Sequence, residues 1–120
     1  MVKPLVSIVV PSYNHAPYLR QAIESALSQT IQNLEVIVVD DSSSDESLEI
    51  LGSIEDSRLK ILVNEENRGA SFSLNRGIQA SSAPVVAILN SDDLFEPQRL
   101  SLCLAALEDP EVMLVGTDLK

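Results

Sequence analysis

Short apolar runs alternate along the chain with segments in which apolar residues recur at helical spacing. The runs are rich in valine and isoleucine, and such runs are typical of strands that are buried on both faces of a sheet. Five strands are therefore predicted, at Val6–Val10, Val36–Val39, Leu59–Val63, Val85–Leu89 and Val112–Val115.

Four helices are predicted from apolar residues that lie three and four positions apart. Ser43 and Glu46 fit a capping box at the start of the second predicted helix. Gly77 weakens the pattern of the third predicted helix, because glycine has a low helix propensity. The predicted helices are Leu19–Leu27, a segment from the capping box to about Ile54, Ala70–Ala80 and Pro97–Leu107.

Strand and helix thus alternate through a single domain of 120 residues. This order predicts an α/β fold, namely a Rossmann-like, mostly parallel sheet with helices on both faces. The crossovers are expected to be right-handed, and ligands of such sheets bind beyond the carboxyl ends of the strands. Candidate functional residues are therefore sought at the strand ends.

Composition narrows the classes of partner. The net charge of −10 argues against a nucleic-acid surface and against a polybasic membrane patch, because both need clustered lysine and arginine. The single cysteine, Cys103, excludes an internal disulfide, suits a reducing compartment and falls on a leucine-rich helical face, which predicts a core position. No signal peptide is expected before the first strand, and no apolar run approaches the ~20 residues of a membrane span. A cytoplasmic protein is expected.

Polar segments follow the first four predicted strands. They are Pro11–Asn14, Asp40–Ser43, Asn64–Asn67 and Asn90–Asp93, and two of them contain adjacent aspartates. Such residues often do no more than form turns and cap helices. In a parallel sheet, however, the four segments meet at one edge, where grouped carboxylates need a compensating partner. Mg²⁺ or Mn²⁺ bridging to a diphosphate would suit such an edge.

Four segments, in order, resemble glycosyltransferase family 2, whose members have the GT-A fold and use nucleotide-sugar donors. The stretch VSIVVPSYNHAPYLRQAIESALSQTIQNLEVIVVDDSSSDES contains a strand ending in P-x-Y-N, a helix ending in S-x-x-Q-T, and E-x-x-V-V-D-D-x-S-x-D. NEENRGASFSLNRGI resembles the N-x-G-x-x-x-x-x-N-x-G segment of the family, and ILNSDDLFEPQRL resembles the segment that holds its D-x-D motif. The resemblance runs from about Val6 to Val115.

The resemblance implies a nucleobase pocket. Pro11 and Tyr13 match positions that line it, where the Tyr13 ring can stack on a base and the backbone near Pro11 can hydrogen-bond it. Tyr13 could instead be an aromatic residue that only flanks a turn. Asp41 matches the acid that accepts a hydrogen bond from uracil or another base. Asp40 is expected to support the loop backbone or to cap the next helix.

Asn90, Ser91 and Asp92 match the D-x-D triplet of the family. Asp92 matches the acid that ligates the metal beneath the diphosphate, and Asn90 and Ser91 lie where ribose and diphosphate contacts are expected. Asn90 replaces the first acid of the triplet, and its amide keeps a carbonyl acceptor but loses the charge. Contacts to ribose could survive this change, whereas metal affinity could be weaker.

A second departure from the family pattern concerns a cation. The family often has arginine before the asparagine of its third segment, and Leu74 stands at that position here. Arg68 or Arg76 could supply a phosphate contact instead; the alternative is that they are solvated charges on a helix. His15 is interpreted as a surface residue, with a phosphate contact as the alternative.

The resemblance implies that residues 1–120 are the N-terminal, donor-binding part of a longer, inverting glycosyltransferase. The implied donor is a nucleoside diphosphate-sugar, with a UDP-sugar the most common in the family, and the implied cofactor is Mn²⁺ or Mg²⁺. The acceptor would be a saccharide or a lipid, so the full-length protein could be peripheral to a membrane. No catalytic base can be assigned, because family members place it in the following half. A homodimer would cover an apolar face left by a missing half.

Two other classes of function suit acidic strand ends on a parallel sheet. A non-catalytic nucleotide-binding or assembly module with the same fold is favoured by Asn90, by Leu74 and by the short chain. A phosphoreceiver signalling domain is suggested by VVDDS, but it needs an acidic pair after its first strand, an aspartate after its third and a lysine after its fifth. The chain has Pro11–Tyr13, Asn64 and Gly116–Thr117 at those ends, which excludes this class.

Overall fold

The computed structural model of the chain describes residues 4–91, Leu94 and Leu114–Gly116. Within these residues, strands and helices alternate as predicted. The strands are β1 (Val6–Ser12), β2 (Leu34–Asp40), β3 (Leu59–Val63), β4 (Val85–Ile88) and β5 (Leu114–Gly116). The helices are α1 (Ala16–Leu27), α2 (Ser47–Ser53) and α3 (Ala70–Ala80). The predicted helix Pro97–Leu107, including Cys103, lies outside the described residues.

The described strands form one parallel sheet in the order β3-β2-β1-β4-β5. The chain moves outward from β1 to β2 and β3, and then returns to the other side of β1 as β4. Such a reversal opens a crevice beyond the carboxyl ends of the two strands where it occurs, here β1 and β4. The predicted α/β fold with a parallel sheet is confirmed.

Helices cover both faces of the sheet. Ile8 and Val10 of β1 belong to a buried cluster that includes apolar residues of α1 and α2. Side chains alternate across a strand, so Val9 points to the opposite face. There it meets α3, whose Gly77 also approaches Val39 of β2. The core is therefore a central sheet with α1 and α2 on one side and α3 on the other.

Gly77 explains how α3 approaches the sheet so closely. An added Cβ at this position would lie 2.4 Å from Cγ1 of Val9, a side chain that is fully buried. The low helix propensity of Gly77 is thus offset by a contact that any larger residue would block. The helix α3 forms in spite of this glycine, with the predicted bounds Ala70–Ala80.

We expect Gly77→Ala to destabilise the protein by about 1–3 kcal/mol, because overpacking forces neighbouring side chains and backbone to move. Urea unfolding would measure the loss. Gly52→Ala in α2 is the matched control, since an added Cβ there meets nothing within 4 Å. That control should stabilise the protein by up to about 1 kcal/mol through helix propensity. A Gly77→Ala protein as stable as Gly52→Ala would contradict the close contact.

The predicted capping box at Ser43 and Glu46 is wrong. The helix α2 begins later, at Ser47, and the Ser43 hydroxyl donates instead to Oδ1 of Asp40 at 2.7 Å. Asp45, one residue before the N-cap Glu46, supports the start of α2 instead, because its Oδ1 accepts a hydrogen bond from the Ser47 backbone N–H at 2.9 Å. Its other oxygen accepts from the backbone N–H of Ala16 at 3.0 Å, so this carboxylate joins the starts of two helices.

Candidate functional site

A cleft of about 530 Å³ opens at the carboxyl ends of β1, β2 and β4. The predicted site residues Pro11, Tyr13, Asp41, Asn90 and Ser91 all line it. Its other described lining residues are Ser12, His15, Asn67, Gly69, Ala70 and Ser73. The prediction that the polar strand ends share one edge is confirmed. Asp92, the predicted metal ligand, lies outside the described residues.

Pro11 lies inside β1, although a proline cannot donate to a strand ladder. The ladder with β4 ends at Val9, whose carbonyl accepts from the N–H of Leu89 at 3.0 Å. On the other side, the Ser12 carbonyl accepts from the N–H of Asp41 at 2.8 Å. Successive residues of a parallel strand turn their backbone groups to alternate neighbours. Pro11 therefore turns its missing donor and its carbonyl toward β4, beyond the last pair and beside the cleft.

Asp41 presents a buried carboxylate to the cleft. Its Oδ1 accepts from Nδ2 of Asn64 at 2.8 Å and from the backbone N–H of Arg68 at 2.7 Å. Its Oδ2 accepts from the backbone N–H of Gly69 at 2.9 Å, and this glycine has a φ of 92°. Burial raises the pKa of the Asp41 carboxyl, but the three hydrogen bonds outweigh it and leave the pKa below its usual value. Asp41 is therefore ionised and can only accept hydrogen bonds at neutral pH.

The other aspartate of the pair, Asp40, supports the loop, as predicted. It is buried, and its Oδ2 accepts from the Ser43 backbone N–H at 2.9 Å. Asn14, with a φ of 53°, donates its own N–H to the Ser43 hydroxyl at 3.0 Å. Its side-chain carbonyl accepts from the N–H of Ser44 at 2.8 Å. The loops after β1 and β2 thus hold each other in place through hydrogen bonds.

His15 is more than the surface residue that was predicted. It is half-buried, lines the cleft, and has its Nδ1 2.6 Å from the hydroxyl oxygen of Ser91. Ser91 is itself buried, whereas Asn90 is exposed. The contact ties the turn after β4 to the start of α1. No local sequence pattern signals it, because the two residues are 76 positions apart.

Neither candidate arginine lines the cleft. Arg76 donates from Nη1 to the Val63 carbonyl and to Oδ1 of Asn64, both at 2.8 Å. It is therefore not a solvated helix charge, which was the alternative considered for it. Arg68 lies with its Cζ 5.2 Å from the centre of the Phe72 ring, a cation–π contact on the exposed side of α3. Both arginines line a separate pocket of about 290 Å³ beside α3, so neither is placed to contact a phosphate in the cleft.

Ser12 is a cleft residue that the sequence did not single out. Its side-chain oxygen is buried and has no hydrogen-bond partner among the residues that the structure describes. Buried hydroxyl groups are normally satisfied by protein, water or ligand.

Among the residues that the structure describes, no three His, Cys, Asp or Glu side chains are grouped so as to hold a metal. No helix there is long and apolar enough to cross a membrane.

The parallel sheet, its reversal at β1 and β4, and an ionised carboxylate at the strand ends define an α/β protein with a ligand crevice at the switch point of its sheet. A family model described as Glycosyl transferase family 2 matches residues 7–118. The chain belongs to this family, as its motifs predicted.

Individual relatives agree with the family match. An uncharacterized glycosyltransferase of Haemophilus influenzae is 38% identical over 102 residues, which cover 83% of this chain and 41% of that protein. Residues 1–349 of Staphylococcus aureus TarS in complex with UDP superpose with a TM-score of 0.80 and 28% identity, covering 90% of this chain and 32% of that one. The mannosyltransferase PcManGT of Pyrobaculum calidifontis, in complex with GDP-Man and Mn²⁺, superposes with a TM-score of 0.78 and 30% identity. The match covers 92% of this chain and 34% of that one. The chain spans less than half the length of these proteins.

Proposed function

We propose that this chain is the donor-binding part of an inverting glycosyltransferase, and that its cleft binds a nucleoside diphosphate-sugar together with Mn²⁺ or Mg²⁺. The observation that carries the proposal is the buried, ionised Asp41 in a cleft built from the motif residues of the family. Neighbours of similar fold hold UDP in one case and GDP-Man with Mn²⁺ in another, which supports a donor of this class.

The cleft suits a base that offers a ring N–H. Asp41 can only accept hydrogen bonds, and its Oδ2 has one protein donor, so it retains acceptor capacity for a ligand. Uracil and guanine present such an N–H, whereas cytosine and adenine present only exocyclic amines and ring acceptors. Tyr13, about half exposed at the cleft, offers a ring face for stacking, and the Pro11 carbonyl offers a further acceptor. We therefore propose UDP-sugars first and GDP-sugars second.

The residues at the end of β4 fit a hard divalent cation. Asn90 offers a side-chain carbonyl oxygen and Asp92 a carboxylate, both oxygen donors of the kind that Mg²⁺ and Mn²⁺ prefer. Such ions often take one or two protein ligands and fill their remaining positions with phosphate oxygens and water. A metal bound there would offset the negative charge that develops on the departing diphosphate.

The chain's own residues would bind and orient the donor. With its base held at Asp41, the donor presents its anomeric carbon to an acceptor hydroxyl. A carbon–oxygen bond forms there as the bond to the diphosphate breaks, and inversion follows from in-line attack. A base accepts the hydroxyl proton. We propose that this base belongs to a region that corresponds to the part of the relatives not spanned by the chain.

A non-catalytic module that keeps the fold is the second candidate, because Asn90 stands where the triplet has its first acid. Melting temperatures measured with UDP, GDP, CDP and ADP, each with and without Mn²⁺, separate the two. A ligand that binds only the native state stabilises it by about 2.7 kcal/mol at 100 times its Kd. We expect a rise of several degrees with UDP or GDP, and only with Mn²⁺. Metal-independent binding would favour the module, and no rise with any nucleotide would refute the proposal.

A further inference from the structure

A chain of hydrogen bonds runs from Arg76, outside the cleft, to Asp41 inside it. Arg76 donates from Nη1 to Oδ1 of Asn64 at 2.8 Å. The amide of Asn64 then donates from Nδ2 to Oδ1 of Asp41 at 2.8 Å and to the Ser73 hydroxyl at 2.9 Å. Asn64 is buried, and both ends of its amide are thus paired.

The chemistry of the two outer groups permits only one orientation of the amide. A guanidinium has donors and no acceptor, and an ionised carboxylate has acceptors and no donor. Asn64 can satisfy both only with its oxygen toward Arg76 and its nitrogen toward Asp41. Arg76 is in turn held by the carbonyl of Val63 at 2.8 Å, at the end of β3. The guanidinium is therefore anchored to the sheet rather than free to follow the amide.

We propose that Arg76 is a positioning residue for nucleobase recognition, which acts by orienting Asn64 and thereby fixing the carboxylate of Asp41. This inference rests on the proposed function, because it assigns a role toward the base that Asp41 would bind. Arg76 does not line the cleft, so a change there removes no side chain from its lining. Without it, the amide oxygen of Asn64 can turn toward the carboxylate, which repels it, and Asp41 then loses one of its three donors.

Arg76→Leu tests this role, with UDP and CDP as probes in the presence of Mn²⁺. UDP offers the ring N–H that Asp41 would accept, and CDP lacks it. In calorimetric titrations we expect UDP to bind about tenfold more weakly to the variant, equivalent to about 1.4 kcal/mol. CDP affinity should be unchanged, so discrimination between the two falls. If the wild type prefers GDP, then GDP and ADP replace this pair.

Two further variants separate positioning from general stability. Arg76→Lys keeps a donor that can reach Oδ1 of Asn64, and should recover discrimination even if its melting temperature falls. Arg20→Leu, which removes an exposed cation from α1 on the other face of the sheet, should leave discrimination intact. These comparisons remain informative if Arg76→Leu does not fold.

The outcomes distinguish this inference from the proposed function. A wild-type chain that binds no nucleotide refutes the proposed function itself. A wild type that binds UDP and CDP equally overturns the role of Arg76. The role is also overturned if Arg76→Leu keeps the wild-type preference for UDP, or if Arg76→Lys does not recover it. In particular, equal weakening of UDP and CDP would show a merely structural effect.

Discussion

Replacement of Asp92 by alanine is expected to abolish metal-dependent nucleotide binding, with UDP affinity in Mn²⁺ falling about 100-fold or more, to its metal-free level. Asp92 directly follows Ser91, which lines the cleft, and it is the acid that matches the metal ligand of the family motif. Asn90 supplies no charge, so no second carboxylate of the triplet remains to hold the ion. Ions of this kind often have just one or two protein carboxylates as ligands, so the loss of the one remaining acid of the triplet should remove the site.

Calorimetric titration of UDP with and without Mn²⁺ would measure this effect. Asp93→Ala is the matched control, because it removes the same charge one position further along the chain and should leave Mn²⁺ dependence in place. Asn90→Asp restores the first acid of the triplet and should strengthen Mn²⁺ binding. An Asp92→Ala protein whose UDP affinity still rises with Mn²⁺ would remove Asp92 from the metal site.

The strands and helices of the described residues were largely predictable because their signals are local. The bounds predicted for Leu59–Val63 and Ala70–Ala80 are those found in β3 and α3. β1 and β2 run further than predicted, to Ser12 and Asp40, because the polar residues at their ends continue the ladder between the two strands. Apolar patterning reports burial, and it underestimates a strand where the ladder extends past the apolar run.

The position of the cleft was predictable from the sequence, because parallel strands bring their carboxyl ends together. Its hydrogen-bond partners were not predictable. His15 and Ser91 meet across 76 positions, and Asp45 rather than Ser43 accepts a hydrogen bond at the start of α2 while it also accepts one from the distant Ala16. Arg76 of α3 likewise meets Asn64 in the loop after β3. Such pairings depend on how the loops pack together, which a one-dimensional pattern does not contain.

The second large expected effect is a loss of stability on neutralising Glu35, which lies at the end of the sheet opposite the cleft. This buried carboxylate on β2 accepts hydrogen bonds from Lys60 of β3 at 2.8 Å and from the Ser7 hydroxyl of β1 at 2.5 Å. It also accepts from the backbone N–H and the hydroxyl of Ser82, at 2.7 and 2.8 Å, just before β4. One side chain thus links β1, β2 and β3 with the segment just before β4.

Stability should therefore depend on the ionisation of Glu35. Burial raises its pKa, but the hydrogen bonds from Lys60, Ser7 and Ser82 outweigh it and lower the pKa to about 2, from 4.5. A carboxyl whose pKa is depressed on folding contributes stability above its unfolded pKa and loses it as the pH falls toward the folded value. The contribution is about 3 kcal/mol, fully present above about pH 5 and lost between pH 4.5 and 2.

Glu35→Gln is expected to lower the free energy of unfolding at pH 7 by about 3 kcal/mol, because the neutral amide loses the charge that these donors stabilise. Between pH 5 and 2.5 the variant should lose less stability than the wild type, so that the two urea-unfolding curves converge. Glu49→Gln, at an exposed position of α2, should follow the wild type throughout. A constant difference between the Glu35→Gln and wild-type proteins down to pH 2.5 would mean that the charge of Glu35 is not what holds this edge of the sheet, and that its contribution comes from packing and neutral hydrogen bonds alone.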